Sequence, residues 1–118
     1  MLNYFKSLFG FGIDPEVLAV YIAKLPSEVS VSIKDDSSGL YSAIIKGAAI
    51  HPVATQAKTG KELIFMVNDA IFTMKDIPER YRPFMDEFVP PESVYAELKT
   101  RIPKKYLNKE MQLGLQKA

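Results

Sequence analysis

A period of two runs through Val29-Ser30-Val31-Ser32-Ile33-Lys34, where apolar and polar side chains alternate. Successive side chains of a strand point to opposite faces, so the alternation predicts a strand with one buried and one solvent-facing side. A polar turn follows at Asp35-Asp36-Ser37-Ser38-Gly39, with local hydrogen-bond acceptors and a glycine that tolerates positive φ. Residues 40–46 then have strand composition, and the three stretches together predict a β-hairpin.

A third strand and a long helix are predicted to follow the hairpin. The third strand is the weakly apolar run at residues 53–57. Thr59 then precedes Glu62 at the spacing of a capping box, which indicates a helix N-terminus. The helix is predicted to end at Met74, because Pro78 disfavours helical geometry in the residue before it. The expected fold is therefore α+β: a small antiparallel three-stranded sheet, in the order β-β-β-α, packed on one long helix.

Further helices are predicted on the N-terminal side of this core. Apolar residues recur at helical spacing near the start of the chain, namely Leu2, Phe5, Leu8 and Phe9. A second helix is predicted from Asp14, which stands before Pro15 and Glu16 as an N-cap followed by a first-turn proline and acid. Pro26 is expected to stop that helix.

The C-terminal part is predicted to be mainly helical. Val94, Leu98 and Ile102 follow a helical spacing up to Pro103, whereas the alternation of Met111 and Leu113 with polar residues fits either an edge strand or the end of a helix. The whole chain is expected to form a single domain. Its parts are N-terminal helices over residues 1–27, the core over 28–75 and a helical C-terminal extension over 76–118.

Composition excludes several classes of site. The 118 residues contain no cysteine and one histidine, which excludes a disulfide scaffold, a thiolate zinc site and a cysteine nucleophile. His51 precedes Pro52 and has no Ser, Asp or second His in a catalytic motif around it, so we interpret it as a loop residue. The sequence therefore predicts a non-enzymatic protein with no catalytic residue, no metal site and no cofactor.

Charge and hydropathy set expectations for partners and location. A formal net charge of +1 supplies no global field for nucleic acid or an anionic membrane. Charged residues such as Lys6, Asp14 and Lys24 interrupt the apolar N-terminal part, so no run approaches the roughly 18 apolar residues of a spanning helix. We expect no transmembrane segment and, without a secretory signal pattern, a cytoplasmic location.

The predicted core resembles the HicB-like fold family, the antitoxin half of HicA/HicB toxin–antitoxin pairs. The similarity covers residues 29–74 and is carried by the hairpin, by Ala54-Thr55-Gln56-Ala57 running through a polar turn into the helix, and by Asn68-Asp69-Ala70-Ile71. It implies a protein that binds a macromolecular partner, such as a HicA-like toxin, and that forms a homodimer. The alternatives are a stand-alone structural or regulatory subunit and a small RNA-binding module.

The predicted long helix carries the candidate partner-binding residues. Phe65 and Phe72 fall on the side opposite Leu63 and Ile71, so the helix has two apolar faces and needs two partners. Phe65, Phe72, Asn68 and Asp69 are therefore the candidate binding residues. The intramolecular alternative is that this face is covered by the N-terminal helix with Phe5, Leu8 and Phe9 or by the C-terminal helix with Val94 and Leu98.

The basic C-terminal segment is the candidate nucleic-acid site. Its residues are Lys104, Lys105, Tyr106 and Lys109, in which lysines could contact phosphates and the tyrosine could stack on a base. A solvated chain end is the alternative interpretation.

Overall fold

The structure is a computed structural model that describes residues 12–36, 38–47, 50–99 and 101–116. Its α-helices are α1 (Pro15–Ala23), α2 (Gly60–Met74) and α3 (Glu92–Leu98). Its strands are β1 (Glu28–Asp36), β2 (Leu40–Gly47), β3 (Ile50–Ala57), β4 (Glu87–Val89) and β5 (Glu110–Gln116), and 3₁₀ helices lie at Glu79–Phe84 and Lys104–Tyr106. The helix predicted near Leu2 to Phe9 lies outside the described residues.

The strands form a five-stranded antiparallel sheet in the order β3-β2-β1-β5-β4, so the predicted three-stranded sheet was wrong. The predicted hairpin is present: β1 pairs with β2, and Val31 lies opposite Ile45. On its other side β1 pairs with β5, with Val31 opposite Met111. The two additional strands come from residues 76–118, a part of the chain far from the hairpin in sequence.

The C-terminal extension is therefore not the helical segment that was predicted. Its described residues, 76–99 and 101–116, form one seven-residue α-helix, two 3₁₀ helices and two strands. Prolines mark these segments: Pro83 lies inside the first 3₁₀ helix, where it removes an amide donor, and Pro91 and Pro103 are the N-cap residues of the next two helical segments. The alternation at Met111 to Leu115 does form a strand, but β5 lies inside the sheet because β4 covers its outer side.

The main core lies between one face of the sheet and α2. The helix places Leu63, Val67 and Ile71 against the sheet, where they are buried with apolar side chains of β1, β2, β4 and β5. The predicted cap is present, since the Glu62 amide donates to Thr59 Oγ1 at 3.1 Å. The opposite face of the sheet is largely polar, and the Gln112 side-chain amide donates to Ser30 Oγ at 2.7 Å across β5 and β1.

A second apolar cluster joins α1 to the far end of α2 and to the 3₁₀ helix at Glu79–Phe84. Its buried members are Ile13, Leu18, Phe72, Ile77, Tyr81 and Met85. The predicted N-cap of α1 is confirmed, because the Glu16 amide donates to Asp14 Oδ1 at 2.9 Å. The Asp14 amide in turn donates to the Tyr81 hydroxyl at 3.3 Å. The start of the described chain is thus held against the end of α2.

Candidate functional site

A groove of about 410 Å³ runs along one flank of α2, beside the β4 edge of the sheet, and we call it the α2 groove. Side chains of α2 form one wall, and the 3₁₀ helix at Glu79–Phe84, β4 and α3 supply the remaining contacts. The lining residues are Lys61, Ile64, Phe65, Asn68, Asp69, Phe72, Glu79, Arg82, Pro83, Glu87 and Tyr95. All four residues predicted to bind a partner are therefore brought together in this groove.

The two phenylalanines of the groove differ in their surroundings. The Phe72 side chain is 5% exposed and packs in the second cluster with Ile13 and Tyr81. Phe65 is 68% exposed, although it lies on the same side of α2 about two helical turns earlier. Phe72 is thus buried within the chain, beside Leu18 of α1 and Tyr81 of the 3₁₀ helix, whereas no described residue covers Phe65 to the same degree. The predicted C-terminal helix residues Val94 and Leu98 belong to the main core instead, and the predicted N-terminal helix lies outside the described residues.

The Asn68 side chain stabilises the groove, because its polar atoms are bonded to the backbone of the chain itself. Its Nδ2 donates to the Ile64 and Phe88 carbonyl oxygens, both at 2.9 Å, and its Oδ1 accepts from the Phe88 amide at 2.6 Å. These bonds satisfy the buried amide and attach β4 to the middle of α2. Asn68 therefore holds one wall of the groove against the other.

Asp69 is half-exposed and forms an ion pair with Arg82 of the 3₁₀ helix at 2.9 Å. The same guanidinium donates from Nε to the Ile77 carbonyl oxygen at 3.0 Å and lies 6.0 Å from the centre of the Phe72 ring. Arg82 thus connects the 3₁₀ helix to α2 through Asp69 and the Phe72 ring, and to the segment after α2 through Ile77. Its charge is largely compensated, so the groove does not present it as a free cation.

The remaining charged residues of the lining are Lys61, Glu79 and Glu87. Within the described residues, none of the three takes part in an ion pair. The lining of the groove therefore combines the apolar side chains of Phe65, Ile64, Pro83 and Tyr95 with three charged side chains that have no ion-pair partner among the described residues.

The candidate nucleic-acid residues occupy a different place, at the second 3₁₀ helix. Lys105 Nζ forms an ion pair with Glu97 of α3 at 3.0 Å, and the Tyr106 hydroxyl donates to the same carboxylate. The hydrogen bond from Tyr106 lowers the pKa of Glu97, and the bond to Glu97 raises the pKa values of Tyr106 and Lys105. Lys104 and Lys109 are exposed. Two of the four residues are thus paired with an acid instead of facing solvent freely.

Metal ligands, His51 and candidate membrane helices are the remaining features of the described part of the chain. No group of three or more His, Asp or Glu side chains there is arranged to hold a metal ion. His51 lies exposed in β3 rather than in the predicted loop. No helix within these residues is long and apolar enough to cross a membrane.

Sequence reasoning missed the residues that complete the groove opposite α2, namely Glu79, Arg82, Pro83, Glu87 and Tyr95. They come from three separate segments, and no local periodicity relates them to α2.

Comparison with known proteins finds no matching family model, no matching curated protein and no matching solved structure.

Proposed function

We propose that this chain is a non-enzymatic protein-binding domain whose α2 groove holds an apolar segment of a partner protein. The observation that carries the proposal is Phe65, an aromatic side chain that is 68% exposed on the wall of a concave, mainly apolar surface. Aromatic side chains at the centre of such surfaces commonly dominate the binding energy of protein interfaces. The volume of about 410 Å³ also falls in the roughly 300–1,000 Å³ range of binding pockets.

The lining defines the chemistry of the partner segment. Ile64, Phe65 and Tyr95 would contact apolar side chains of the partner, and Glu79 and Glu87 would favour a basic residue beside them. The resemblance of residues 29–74 to HicB-like antitoxins supports a HicA-like toxin as this partner. In that case the protein acts in the cytoplasm as the antitoxin of the pair.

Self-association is a second candidate, because the outer edge of β3 favours it. This edge strand has eight residues, Ile50–Ala57, and contains no Lys, Arg, Asp or Glu. Charged residues and prolines on edge strands normally oppose pairing with another sheet. This edge carries no formal charge, and Pro52 lacks an amide donor, so residues 53–57 are the part of the edge that is open to pairing. We propose that a homodimer would form by pairing of β3 with β3 of a second copy.

The antitoxin proposal is tested by titrating the purified chain with a HicA-like toxin from the same genome in a calorimeter. We expect binding, and we expect Phe65→Ser to weaken it by about thirtyfold, the loss typical of a central aromatic contact of about 2 kcal/mol. Val20→Ser is the matched control, because Val20 is also exposed on a helix but lies outside the groove.

Two results would contradict the proposal in different ways. Absence of toxin binding would exclude the antitoxin role. Equally strong binding of the toxin to the wild type and to Phe65→Ser would mean that the toxin is a partner but binds outside the α2 groove.

A further inference from the structure

We propose that the α2 groove binds its partner segment as a short amphipathic helix with basic residues beside its apolar face, and not as an added β-strand. The inference rests on the proposed function, because it takes the groove to bind a segment of another protein. It adds the conformation of that segment, which the lining of the groove restricts.

The edge of the sheet beside the groove is closed to strand addition. β4 is the edge strand there, and Phe88 is its middle residue. The Phe88 amide donates to Asn68 Oδ1 at 2.6 Å, and the Phe88 carbonyl oxygen accepts from Asn68 Nδ2 at 2.9 Å. In an edge strand the N–H and C=O groups of alternate residues point away from the sheet, and an incoming strand pairs with those groups. The Asn68 side chain already occupies them at the centre of β4.

The polar lining of the groove is also largely engaged. Asp69 is paired with Arg82 at 2.9 Å, and Arg82 Nε donates to the Ile77 carbonyl oxygen at 3.0 Å. An extended segment would therefore lose water from its N–H and C=O groups against Phe65 without gaining partners for them, which costs free energy. A helix bonds its backbone internally and enters an apolar groove without this cost.

The length of the groove fits about three turns of a partner helix. Lys61 and Phe72 are the lining residues of α2 that lie furthest apart, and they are separated by about 16 Å along the helix axis. A partner helix of about 11 residues spans the same length and presents apolar side chains at i, i+4 and i+7 on one face. Phe65 lies between the two ends and is 68% exposed, so that face would cover it.

Charged side chains of the lining define the polar positions of the partner helix. Glu79 and Glu87 are exposed and form no ion pair within the described residues. They favour lysine or arginine beside the apolar face of the partner. Lys61 lies in the first turn of α2, whereas Glu79 follows the C-terminal end of that helix. Charge complementarity thus favours an acidic residue at the Lys61 end.

The test is a selection of phage-displayed peptides on the full chain. Two libraries of peptides of about 12 residues share one composition: one has apolar residues at i, i+3, i+4 and i+7, and the other alternates apolar and polar residues. Peptides that also bind Phe65→Ser are removed; Phe65 is exposed, so this variant should keep the fold, which circular dichroism checks. We expect the remaining peptides to come from the first library, to be rich in lysine and arginine, and to show helical carbon chemical shifts when bound.

The charge pattern is tested on the selected peptides. Glu79→Lys with Glu87→Lys should weaken their binding by about tenfold, because two attractive contacts become repulsive. Glu16→Lys with Glu92→Lys is the matched control, since it reverses the same number of exposed charges outside the groove. Equal affinities for the two double variants would contradict the assigned charge complementarity.

Two results of the selection would overturn the proposal. One is a set of Phe65-dependent peptides that bind in an extended conformation, and the other is the absence of Phe65-dependent peptides from both libraries. The selection contains no toxin, so its failure is distinguishable from failure of the antitoxin titration. Helical peptides without toxin binding would exclude the antitoxin role and leave the helix-binding groove in place. Phe65-dependent toxin binding without helical peptides would mean that the groove binds a segment of another shape.

Discussion

Asn68 is the buried polar residue of the described part of the chain, and its side chain is fully engaged. Two donated bonds and one accepted bond, all to backbone atoms of Ile64 and Phe88, offset the cost of burying the amide. The sequence placed Asn68 among the partner-binding residues because it lies beside Phe65 and Phe72 on the helix. At the residue scale, position on a helix face does not reveal which polar atoms are already bonded.

We expect Asn68→Leu to lower the free energy of unfolding by about 1–3 kcal/mol, because the Phe88 amide and carbonyl would lose their partner while buried. Urea unfolding followed by circular dichroism measures the change. Asp69→Asn is the control, since it alters a half-exposed ion pair worth at most about 1 kcal/mol. Equal losses for the two variants would contradict the assigned role of Asn68.

Asp76 ends α2 in a left-handed conformation, with φ of 55°. The Ile77 amide donates to the Phe72 carbonyl and the Asp76 amide to the Thr73 carbonyl, which is the Schellman pattern usually completed by glycine. We expect Asp76→Gly to raise the free energy of unfolding by up to about 1 kcal/mol. Asp76→Ala should lower the free energy of unfolding. Thermal unfolding of the wild type, Asp76→Gly and Asp76→Ala tests this order of stabilities. A different order would contradict backbone strain at this φ.

At the scale of elements, the first residue of α2 packs against the last residue of α3, and Gly60 makes this close approach possible. A Cβ built on Gly60 would lie 1.9 Å from the Leu98 carbonyl oxygen, closer than any real contact. The clash would be with backbone, so α3 itself would have to move. The capping pattern at Thr59 predicted the start of α2, but it carried no information about the close neighbour.

We expect Gly60→Ala to lower the free energy of unfolding by roughly 1–3 kcal/mol, the usual cost of forcing extra volume into a packed site. Gly114→Ala is the matched control, because a Cβ there meets nothing within 4 Å. Denaturant unfolding of both variants tests the prediction. A Gly60→Ala protein as stable as Gly114→Ala would show that α3 does not pack as described.

The contacts of Glu97 with Lys105 and Tyr106 connect α3 to the second 3₁₀ helix and should make stability depend on pH. Because the pKa of Glu97 is lowered, its contribution to folding stability is present above the pKa that this carboxyl has in the unfolded chain. That contribution is lost as pH falls through the pKa of Glu97 in the folded protein. The pKa values of Tyr106 and Lys105 are raised, so their contributions to stability are lost as pH rises through their pKa values in the folded protein.

We therefore expect Glu97→Gln to lower the melting temperature near pH 7, with the difference from wild type shrinking in acid. Thermal unfolding at several pH values between 3 and 8 measures it. A difference that grows as pH falls would contradict this reading of the Glu97 contacts.

At the scale of the whole molecule, the exposed edge of the sheet governs the proposed self-association. The β4 edge has only three residues, whereas β3 offers eight without a formal charge. We expect light scattering on the wild type to show a dimer and Ala54→Lys to show a monomer, because like charges would face each other across the paired strands. Ser32→Lys, on the central strand β1, should leave the dimer intact. A monomeric wild type would exclude pairing through β3.

The local features of this protein follow from its sequence. The period of two gives β1, the polar turn gives the hairpin, and Asp14 and Thr59 predict the starts of α1 and α2, because each depends only on residues nearby in the chain. These signals also placed Phe65 and Phe72 on a common side of one helix.

The tertiary structure decided what local patterns do not encode. It inserted β5 between β1 and β4, where a three-stranded sheet was expected, and it buried Phe72 while leaving Phe65 exposed. It also assembled the α2 groove from residues as distant as Lys61 and Tyr95. The physical reason is the same in each case: burial and strand pairing depend on which surfaces meet in space, and those surfaces come from segments far apart in the chain.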